Sequence, residues 1–335
     1  MSDFPAVIVG AGQAGLATAY YLRKLGIEPV LLDNQLGPGG AWQQYWESLT
    51  LFSSAGFSNL PGMPMPAYDG FPPRDHVIDY FTAWEERYKF DIRRPVNVSK
   101  VDHNGELFEV TAGVVSSGQK QVYTADNVVM ATGNWSSPFV PAVPGSITGQ
   151  MWHSANYPGK DTFRGTRVAV VGGANSGAQI AAELTEVADV IWLTTHEPRW
   201  MPDDVDGSVL FKRNRERYLA ISRGEADPGG VENLGDIVMV PPVLRARNEG
   251  RLKATPMVDS LDELDVDHLI WCTGFRPSVG PVRHLLNGYA PKVEGLYLIG
   301  FSQANGPGAD TIMGVSPFAK QAASSISKRL NHSGE

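Results

Sequence analysis

The sequence predicts an α/β fold built from two Rossmann-like dinucleotide-binding domains, one inserted into the other. Two glycine-rich turns, at residues 10–15 and 172–177, each follow a run of small and β-branched apolar residues. Such a run is typical of a buried parallel strand, and the glycines let the backbone approach a pyrophosphate at the start of a helix. Two later apolar runs both end in Thr-Gly, which indicates that the chain leaves the first domain and returns to it.

The first glycine turn carries the stronger signal. Residues 6–9 are expected to form a strand, 14–25 a helix, and 29–33 a second strand that ends in a carboxylate. Asp33 lies 23 positions after Gly10, close to the roughly 20-residue offset at which an acid accepts hydrogen bonds from an adenosine ribose. This spacing predicts a dinucleotide site in the first domain.

The second glycine turn differs at two informative positions. Ala174 stands where the middle glycine belongs, so a methyl group loosens the pyrophosphate contact. The same offset from Gly172 ends at Thr195, followed by His196, where an acid would favour NAD and an arginine NADP. The choice between NADH and NADPH therefore stays open, with Arg199 as a candidate partner for a 2′-phosphate. The elements predicted around and after this turn are strands at 167–171, 190–194 and 294–300 and helices at 176–186 and 311–330.

Between the two turns the pattern changes from helical to alternating. Residues 37–42 are too rich in glycine for a helix, and the aromatic residues that follow through position 57 form a segment suited to line a flat ligand. Asp75 is expected to cap a helix, because apolar side chains then recur every three or four residues. Residues 96–131 alternate in short runs, which predicts a small antiparallel insertion. The helical stripe that we assign to the core comprises Val77, Phe81, Trp84 and Tyr88.

The chain is expected to cross between the two domains twice. The apolar run at 127–133 ends in Thr-Gly, and four prolines among residues 138–158 predict an extended connection. A second run that ends in Thr-Gly, at 268–274, marks the return. The expected boundaries are 1–158 with 275–335 for the outer domain and 159–274 for the inserted domain.

Length and composition favour two domains and exclude several classes of partner. At 335 residues and 36.3 kDa the chain exceeds the usual size of one hydrophobic core. A net charge of -8, a pI near 5.4 and the lack of a Lys/Arg run argue against nucleic acid and an anionic membrane surface as partners. No stretch approaches about 18 apolar residues, and no leader pattern precedes the first strand, so we expect a cytoplasmic protein.

Cysteine content narrows the chemistry, because Cys272 is the only cysteine. A single thiol excludes an internal disulfide and an internal redox-active dithiol, and with them the flavoproteins that reduce disulfides through two neighbouring thiols. Position 14, in the first glycine turn, is alanine. We interpret Cys272 as a small buried apolar residue of a strand.

The order of these motifs resembles that of the flavin-containing monooxygenases nearly from end to end. The fingerprint of that family, Phe-x-Gly-x-x-x-His-x-x-x-aromatic, joins its two nucleotide sites, and residues 147–157 fit all but its first position. Residues 52–58 and 202–207 are most similar to the small bacterial members, including flavoproteins found with arsenical resistance. The resemblance implies FAD in the outer domain and NADPH or NADH in the inserted one.

The chain departs from the family pattern at three places besides the final fingerprint position. Ile147 replaces the first phenylalanine, Ala174 replaces a glycine, and Gln303 follows Ser302 where related flavoproteins often place Gly-Asp against the ribityl chain. A glutamine can hydrogen-bond a hydroxyl, so FAD binding is expected to survive. Tyr157 ends the fingerprint in place of the tryptophan of the strict Baeyer-Villiger subgroup, so ketone oxygenation is expected only as a side activity.

The resemblance also implies a mechanism. A hydride passes from the nicotinamide to flavin N5, and the reduced flavin meets O2 to give a C4a-hydroperoxide, which oxygenates soft nucleophiles such as sulfides and amines. Most of this chemistry belongs to the cofactor, so no catalytic triad is required. The protein keeps water and protons away so that the peroxide is not lost as H2O2. An arsenic-containing substrate is raised by the resemblance alone.

Cofactor contacts of the family carry over to positions in both domains. FAD would contact Gly10, Gly12 and Gly15 through its pyrophosphate, Asp33 through its ribose, and Trp42, Phe52, Thr132 and Gly133 at the flavin or its linker. The nicotinamide nucleotide would contact Gly172, Asn175 and Ser176, with Thr195 and His196 at its adenosine end. Further cofactor-binding candidates are Gln13, Ala14, Gly40, Trp46, Phe301, Gln303 and Thr311.

Several polar residues allow more than one interpretation. His153, in the fingerprint, is either a base or a residue that fixes the connecting segment by hydrogen bonds, and we favour the structural role. If any side chain supports catalysis, His153 and Phe52 are the candidates. Three acidic residues between 203 and 206 lack the other ligand positions of a calcium loop, so we expect a solvated turn and no metal site. Four basic residues between 212 and 217 indicate a helix face, with a 2′-phosphate contact as the less favoured alternative.

Two other classes of function use the same folds. A flavoprotein reductase would pass electrons from NAD(P)H to a protein or small acceptor, although the fingerprint at 149–157 counts against it. A non-catalytic dinucleotide sensor would not need the aromatic residues between 42 and 57. The expected partners are a small-molecule substrate and O2, and a homodimer is the default among soluble oligomers.

Overall fold

The chain forms two compact units in the computed structural model, which describes residues 2–115, 117–229, 231 and 234–332. Unit 1 comprises Met1–Gln43, Ala55–Ser136 and Pro277–Glu335, and unit 2 comprises Gln44–Ser54 and Ser137–Arg276. The chain therefore passes between the units four times instead of the expected two. Residues 44–54 and 137–158 lie in unit 2 by their contacts, whereas the sequence assigned them to the outer domain. Which dinucleotide each unit binds stays a prediction.

Strands and helices alternate along the described residues. The strands are β1 (Val7–Val9), β2 (Val30–Leu32), β3 (Asp91–Arg93), β4 (Val96–His103), β5 (Phe108–Val114), β6 (Lys120–Ala125), β7 (Val128–Met130), β8 (Gln150–His153), β9 (Arg167–Val171), β10 (Asp189–Thr194), β11 (Ala254–Pro256), β12 (His268–Trp271), β13 (Leu286–Asn287), β14 (Ala290–Pro291) and β15 (Leu296–Leu298). The helices are α1 (Gln13–Lys24), α2 (Arg74–Tyr88), α3 (Asn175–Leu184), α4 (Gly207–Ser222), α5 (Pro241–Asn248), α6 (Ser302–Asn305) and α7 (Ser316–His332). Short 3-10 helices lie at Gly40–Gln43, Ala55–Phe57, Ser154–Asn156, Lys160–Phe163, Leu261–Glu263 and Gly280–Leu285.

Unit 1 is built on a parallel sheet in the order β15-β7-β1-β2-β3. Every residue of β1, β2 and β7 is buried, as expected when both faces of a parallel sheet are covered. The predicted antiparallel insertion is confirmed as the sheet β4-β5-β6. Side chains of both sheets, including Val7, Val110 and Leu298, share one hydrophobic core.

Unit 2 repeats the architecture with a parallel sheet in the order β11-β10-β9-β12-β8. Its edge strand β8 lies inside the segment that the sequence predicted to be an extended connection, and its pairing with β12 explains why residues 137–158 belong to this unit. Ala169, Leu269 and Trp271 lie in its core. The parallel sheets of both units confirm the predicted α/β fold class.

Two predicted helix starts are wrong. The helix expected to be capped by Asp75 begins one residue earlier, after Pro73, and Asp75 instead pairs with Arg74 at 2.9 Å in the first turn. The closing helix begins at Ser316 and not at 311, because Pro317 is tolerated only in the first turn of a helix. Within the described residues, no helix combines the length and the apolar character needed to cross a membrane.

Candidate cofactor sites

The last glycine of each glycine-rich turn packs on the carbonyl group of the first. A Cβ placed on Gly15 would lie 2.0 Å from the Gly10 oxygen, and one on Gly177 would lie 2.0 Å from the Gly172 oxygen. Contacts this short do not occur between a Cβ and a backbone oxygen, so only glycine fits at either position. The two units therefore use the same backbone turn, as the two motifs predicted.

The middle position of each turn is the N-cap of the following helix. Gly12 precedes α1 and Ala174 precedes α3, and neither supplies a capping side chain. A Cβ on Gly12 would meet only the Cα of Gly40, at 3.9 Å, so packing within the protein does not require glycine there. The uncapped N–H groups of α1 and the space beside Gly12 fit a pyrophosphate. In the second turn the methyl group of Ala174 takes up part of the equivalent space.

The first glycine of each turn packs against the end of a neighbouring strand. A Cβ on Gly10 would lie 2.5 Å from the Ala131 oxygen, and one on Gly172 would lie 2.4 Å from the Cys272 oxygen. Cys272 is buried, and burial raises the pKa of its thiol far above its usual range. The interpretation of Cys272 as a small buried residue is confirmed.

The two Thr-Gly elements fasten the segments through which the chain changes units. In unit 1 the Thr132 hydroxyl donates to the Ser278 oxygen at 2.7 Å, and the Ser278 N–H donates to the Gly133 oxygen at 2.9 Å. In unit 2 the Thr273 hydroxyl donates to the Phe139 oxygen at 2.5 Å. The Thr132 hydroxyl therefore already has a structural partner, and the flavin contact predicted for Thr132 and Gly133 stays a prediction.

Asp33 follows β2 and is buried within an ionic network of unit 1. Its Oδ2 accepts a hydrogen bond from Arg94 Nε at 2.5 Å, and Arg94 also forms a two-bond pair with Glu85. Asp33 Oδ1 makes no hydrogen bond with any described residue. A carboxylate oxygen without a donor can accept a hydrogen bond from a ribose hydroxyl, so Asp33 fits the adenosine end of FAD. Arg94 and Glu85 carry no sequence signal that would have identified them.

The other FAD candidates surround the first turn and the end of β15. Gln13 donates from Nε2 to the Asp310 oxygen at 2.7 Å, and Thr311 is tied into the turn before α7 through the Gly308 oxygen and the Gly314 N–H. Ala14 lies so close to Gly300 that a Cβ there would be 2.7 Å from the Ala14 Cβ. Gly40 and Trp42 form a 3-10 turn, whereas Phe301 is buried and Gln303 exposed.

Sequence reasoning missed Asn305, which holds the backbone at this point. Its Oδ1 accepts hydrogen bonds from the N–H groups of Gly300 and Phe301 at 3.1 and 3.2 Å, and its Nδ2 donates to the Leu298 oxygen at 2.8 Å. One amide side chain thus fixes the loop after β15 that carries Phe301 and Gln303.

The candidates for the nicotinamide nucleotide lie at the second turn and at the end of β10. Asn175 Oδ1 accepts from the Val238 N–H at 2.8 Å, so this side chain fastens the segment that leads into α5. Ser176 is the second residue of α3. Thr195 and His196 are exposed immediately after β10, as expected for residues that read the adenosine end.

Two aromatic candidates, Trp46 and Phe52, belong to the segment Gln44–Ser54, which packs within unit 2. Trp46 is buried edge-on against Tyr157, with ring centroids 6.0 Å apart. The Phe52 oxygen accepts from the Gly207 N–H at 2.6 Å, and a Cβ on Gly207 would lie 2.7 Å from the Phe52 ring. The flavin contact and the catalytic role suggested for these residues stay predictions.

His153 ends β8 and caps the following 3-10 helix. Its Nδ1 accepts from the Ala155 N–H at 3.0 Å, and its own N–H donates to Asn156 Oδ1 at 2.8 Å. The ring proton therefore resides on Nε2, which has no hydrogen-bond partner among the described residues. Burial lowers the pKa of His153, so the ring is neutral at pH 7. These contacts favour the structural role over that of a base.

Acidic and basic residues near α4 also have local structural partners. Asp206, in the acidic turn, accepts from the Ser208 N–H at 2.9 Å and caps α4. Arg217, in the basic cluster on α4, pairs with Asp227 at 2.9 Å. Arg199 lies 3.6 Å from Asp236.

Sequence and structural comparisons agree on one group of proteins. The profile of the family described as pyridine nucleotide-disulphide oxidoreductase matches residues 7–297. A solved flavin-containing monooxygenase from Stenotrophomonas maltophilia is 38% identical, with a TM-score of 0.83, and the match covers 97% of this chain and 98% of that one. A doubly substituted flavin monooxygenase from the same organism is 37% identical, with a TM-score of 0.85, over 98% and 100% of the two chains. An uncharacterized CzcO-like oxidoreductase of Geobacillus kaustophilus is 27% identical over an alignment of 350 positions, which covers 97% of this chain and 98% of the relative.

Proposed function

The chain belongs to the pyridine nucleotide-disulphide oxidoreductase family and, within it, to the flavin-containing monooxygenases, and from this membership we propose that it oxygenates sulfides and amines. It is an oxidoreductase that uses FAD with NADPH or NADH. The reaction consumes NAD(P)H, a proton and O2, places one oxygen atom on the substrate and releases the other as water. The observation that carries the proposal is that a chain with two dinucleotide turns has one thiol, Cys272, buried beneath the second turn.

That observation separates this chain from the dithiol enzymes for which the family is named. A disulfide reductase of that type needs two thiols that exchange electrons with the flavin. Cys272 has no second cysteine to pair with, and its buried thiol is not ionised at neutral pH. Electrons that reach the flavin must therefore go to an acceptor other than a protein disulfide of this chain, and O2 is the acceptor used by monooxygenases.

We assign the binding of FAD to residues of unit 1 and the binding of the nicotinamide nucleotide to residues of unit 2. When bound, FAD accepts hydride from the nicotinamide and supplies the oxygen chemistry. In unit 1 the turn at Gly12 and the N–H groups of α1 would hold the pyrophosphate, and Asp33 would accept a ribose hydroxyl. In unit 2 the turn at Ala174 and the start of α3 would hold the nicotinamide nucleotide, and the methyl group of Ala174 would loosen that contact.

Proton handling does not require His153. Its Nε2 already carries the ring proton, and a proton on Nδ1 would break the contact with the Ala155 N–H. We assign His153 to fixing the end of β8. Oxygen transfer to a sulfide or an amine needs no nucleophilic side chain of the protein. The candidate residues described above are therefore assigned to binding the two cofactors.

Sulfides and amines are the favoured substrate class because an electrophilic oxygen reacts with soft lone pairs. Ketones are a secondary class, since the fingerprint ends in Tyr157 and not in tryptophan. The rival function is a reductase that passes electrons to a protein or small acceptor.

The test is a stopped-flow experiment on the FAD-loaded protein. The flavin is reduced without oxygen by NADPH or NADH and then mixed with oxygenated buffer with and without thioanisole. A spectral transient distinct from oxidised flavin, together with sulfoxide that carries label from 18O2, is the expected result. Immediate return to oxidised flavin with stoichiometric H2O2 and no sulfoxide would contradict the proposal and favour the reductase.

A further inference from the structure

Arg94 connects two carboxylates of unit 1 that are far apart in sequence. Its Nε donates to Asp33 Oδ2 at 2.5 Å, and its two terminal nitrogens donate to the two oxygens of Glu85 at 2.6 and 2.8 Å. The side chains of Arg94, Asp33 and Glu85 are 12%, 5% and 11% exposed. A pair this well shielded from water is held far more firmly than a surface ion pair.

The backbone holds Asp33 on both sides of Arg94. The Asp33 N–H donates to the Arg93 oxygen at 3.1 Å, and the Asp33 oxygen accepts from the Val96 N–H at 2.8 Å. Glu85 lies in the last turn of α2, so the guanidinium is fixed to a helix at one end and to the residue after β2 at the other. Two backbone hydrogen bonds therefore fix the main chain at Asp33, and among the described residues Arg94 alone holds its side chain.

Charge in this network is not balanced. One guanidinium faces two carboxylates, and Glu85 uses both of its oxygens on Arg94, whereas Asp33 uses only Oδ2. Asp33 Oδ1 makes no hydrogen bond with any described residue, so this oxygen of the shared carboxylate charge is the one left without a donor. A neutral hydroxyl donor satisfies such an oxygen, and a ribose that carries a 2′-phosphate would be repelled by it.

We propose that Arg94 is a positioning residue for FAD, which holds Asp33 by Oδ2 so that Oδ1 accepts a hydrogen bond from the adenosine ribose. The proposal rests on the assignment of FAD to unit 1. Lysine cannot replace arginine here, because a single ammonium group cannot reach the two oxygens of Glu85 and Asp33 Oδ2 in the same planar arrangement.

The experiment measures FAD binding to protein freed of its flavin, by titration of flavin fluorescence. The variants are Asp33→Asn, Arg94→Lys and the double variant, with Arg93→Lys as the control, since Arg93 is the neighbouring arginine and pairs with the exposed Asp91. Each protein is also titrated with FMN, which lacks the adenosine, and the unfolding midpoint of each flavin-free protein is recorded.

Asp33→Asn should weaken FAD binding by about 10- to 100-fold, the loss expected for a charge-assisted hydrogen bond, and Arg94→Lys by about 10-fold. The double variant should bind FAD no more weakly than Asp33→Asn alone, because Arg94 acts through Asp33. FMN binding and the control variant should be unchanged.

Three results would overturn the role of Arg94: FAD affinity equal to the wild type in Arg94→Lys, an equal loss of FAD and FMN affinity, or additive losses in the double variant. An equal loss of both flavins with a lower unfolding midpoint would identify a purely structural residue. If the FAD results follow expectation but the loaded enzyme fails to oxygenate thioanisole, the monooxygenase proposal is contradicted while the role of Arg94 is supported.

Discussion

The hydroxyl group of Tyr157 donates a hydrogen bond of 2.5 Å to Oε1 of Glu183, and the second oxygen of Glu183 accepts one of 2.5 Å from Ser48. Tyr157 ends the fingerprint, Glu183 lies in α3, and Ser48 belongs to the segment Gln44–Ser54. One carboxylate therefore joins three separate parts of unit 2. The tyrosine at this fingerprint position has a hydrogen-bonding role that tryptophan could not perform in the same way.

Removing that hydroxyl should destabilise the protein. Tyr157→Phe leaves Glu183 with one donor fewer in a buried setting, and we expect the free energy of unfolding to fall by about 1–3 kcal/mol. Urea unfolding of the flavin-free protein measures it. The control is Tyr68→Phe, at an exposed tyrosine, which should change stability by less than about 0.5 kcal/mol. Equal effects of the two substitutions would show that the Tyr157 contact contributes nothing.

Glu183 should also give stability a pH dependence. Burial raises the pKa of Glu183 above its usual value of 4.5, so folding favours its protonated form. The resulting stabilisation is fully present below pH 4.5 and is lost as the pH rises through the raised pKa. Glu183→Gln cannot ionise, so its stability relative to the wild type should increase over that interval.

Free energies of unfolding of both proteins, measured at a series of pH values, check this expectation. Glu106→Gln, at an exposed glutamate, is the matched control and should differ from the wild type by a nearly constant amount. A parallel pH dependence of Glu183→Gln and the wild type would rule out a raised pKa at Glu183.

Two alanine substitutions should separate ligand binding from folding in the first glycine turn. Gly12→Ala meets nothing closer than 3.9 Å, so it should cost less than about 1 kcal/mol of stability and yet weaken FAD binding about 10-fold. Gly15→Ala would place its Cβ 2.0 Å from the Gly10 oxygen and should cost about 3 kcal/mol or more. Unfolding midpoints measure the change in stability, and FAD titrations measure the change in affinity. Unchanged FAD affinity in Gly12→Ala would show that the pyrophosphate does not bind at this turn.

Thr195 should govern the choice between the two nicotinamide nucleotides. Thr195→Arg adds a planar cation at an exposed position after β10, and we expect the ratio of kcat/KM for NADPH over NADH to rise about 10-fold. Thr195→Gln, which adds length without charge, should leave the ratio near that of the wild type. An unchanged ratio in Thr195→Arg would show that Thr195 does not lie at the adenosine ribose.

The sequence was sufficient to predict the fold wherever one local constraint decides the backbone conformation. Gly10 and Gly15 permit only one turn, and the apolar runs at β1 and β9 are buried on both faces, so motif and periodicity located both dinucleotide folds. The predicted helix starts at Asp75 and 311 are wrong because two local signals compete at each place. At the first, an acidic residue that could cap a helix follows Pro73, which takes the N-cap position. At the second, the apolar run that begins near 311 is followed by Pro317, which lies in the first turn of the helix.

Contacts between distant segments could not be predicted in this way. Arg94 lies 61 positions from Asp33, and Asn305 is an ordinary polar residue in a short helix, so neither has a pattern that marks it. Strand β8 looked like a proline-rich connection, because its pairing depends on β12, more than 100 residues later. Such residues are recognised only once the fold has brought them together.

The position of β15 in the first sheet has a consequence for synthesis on the ribosome. Strand β7 pairs with β1 on one side and with β15 on the other, and about 165 residues of chain, including most of unit 2, separate β7 from β15. At about 5–20 residues per second, the outer edge of β7 stays without its partner strand for about 10–30 s during translation. The nascent chain therefore carries an open strand edge, prone to pairing with other chains, until β15 emerges.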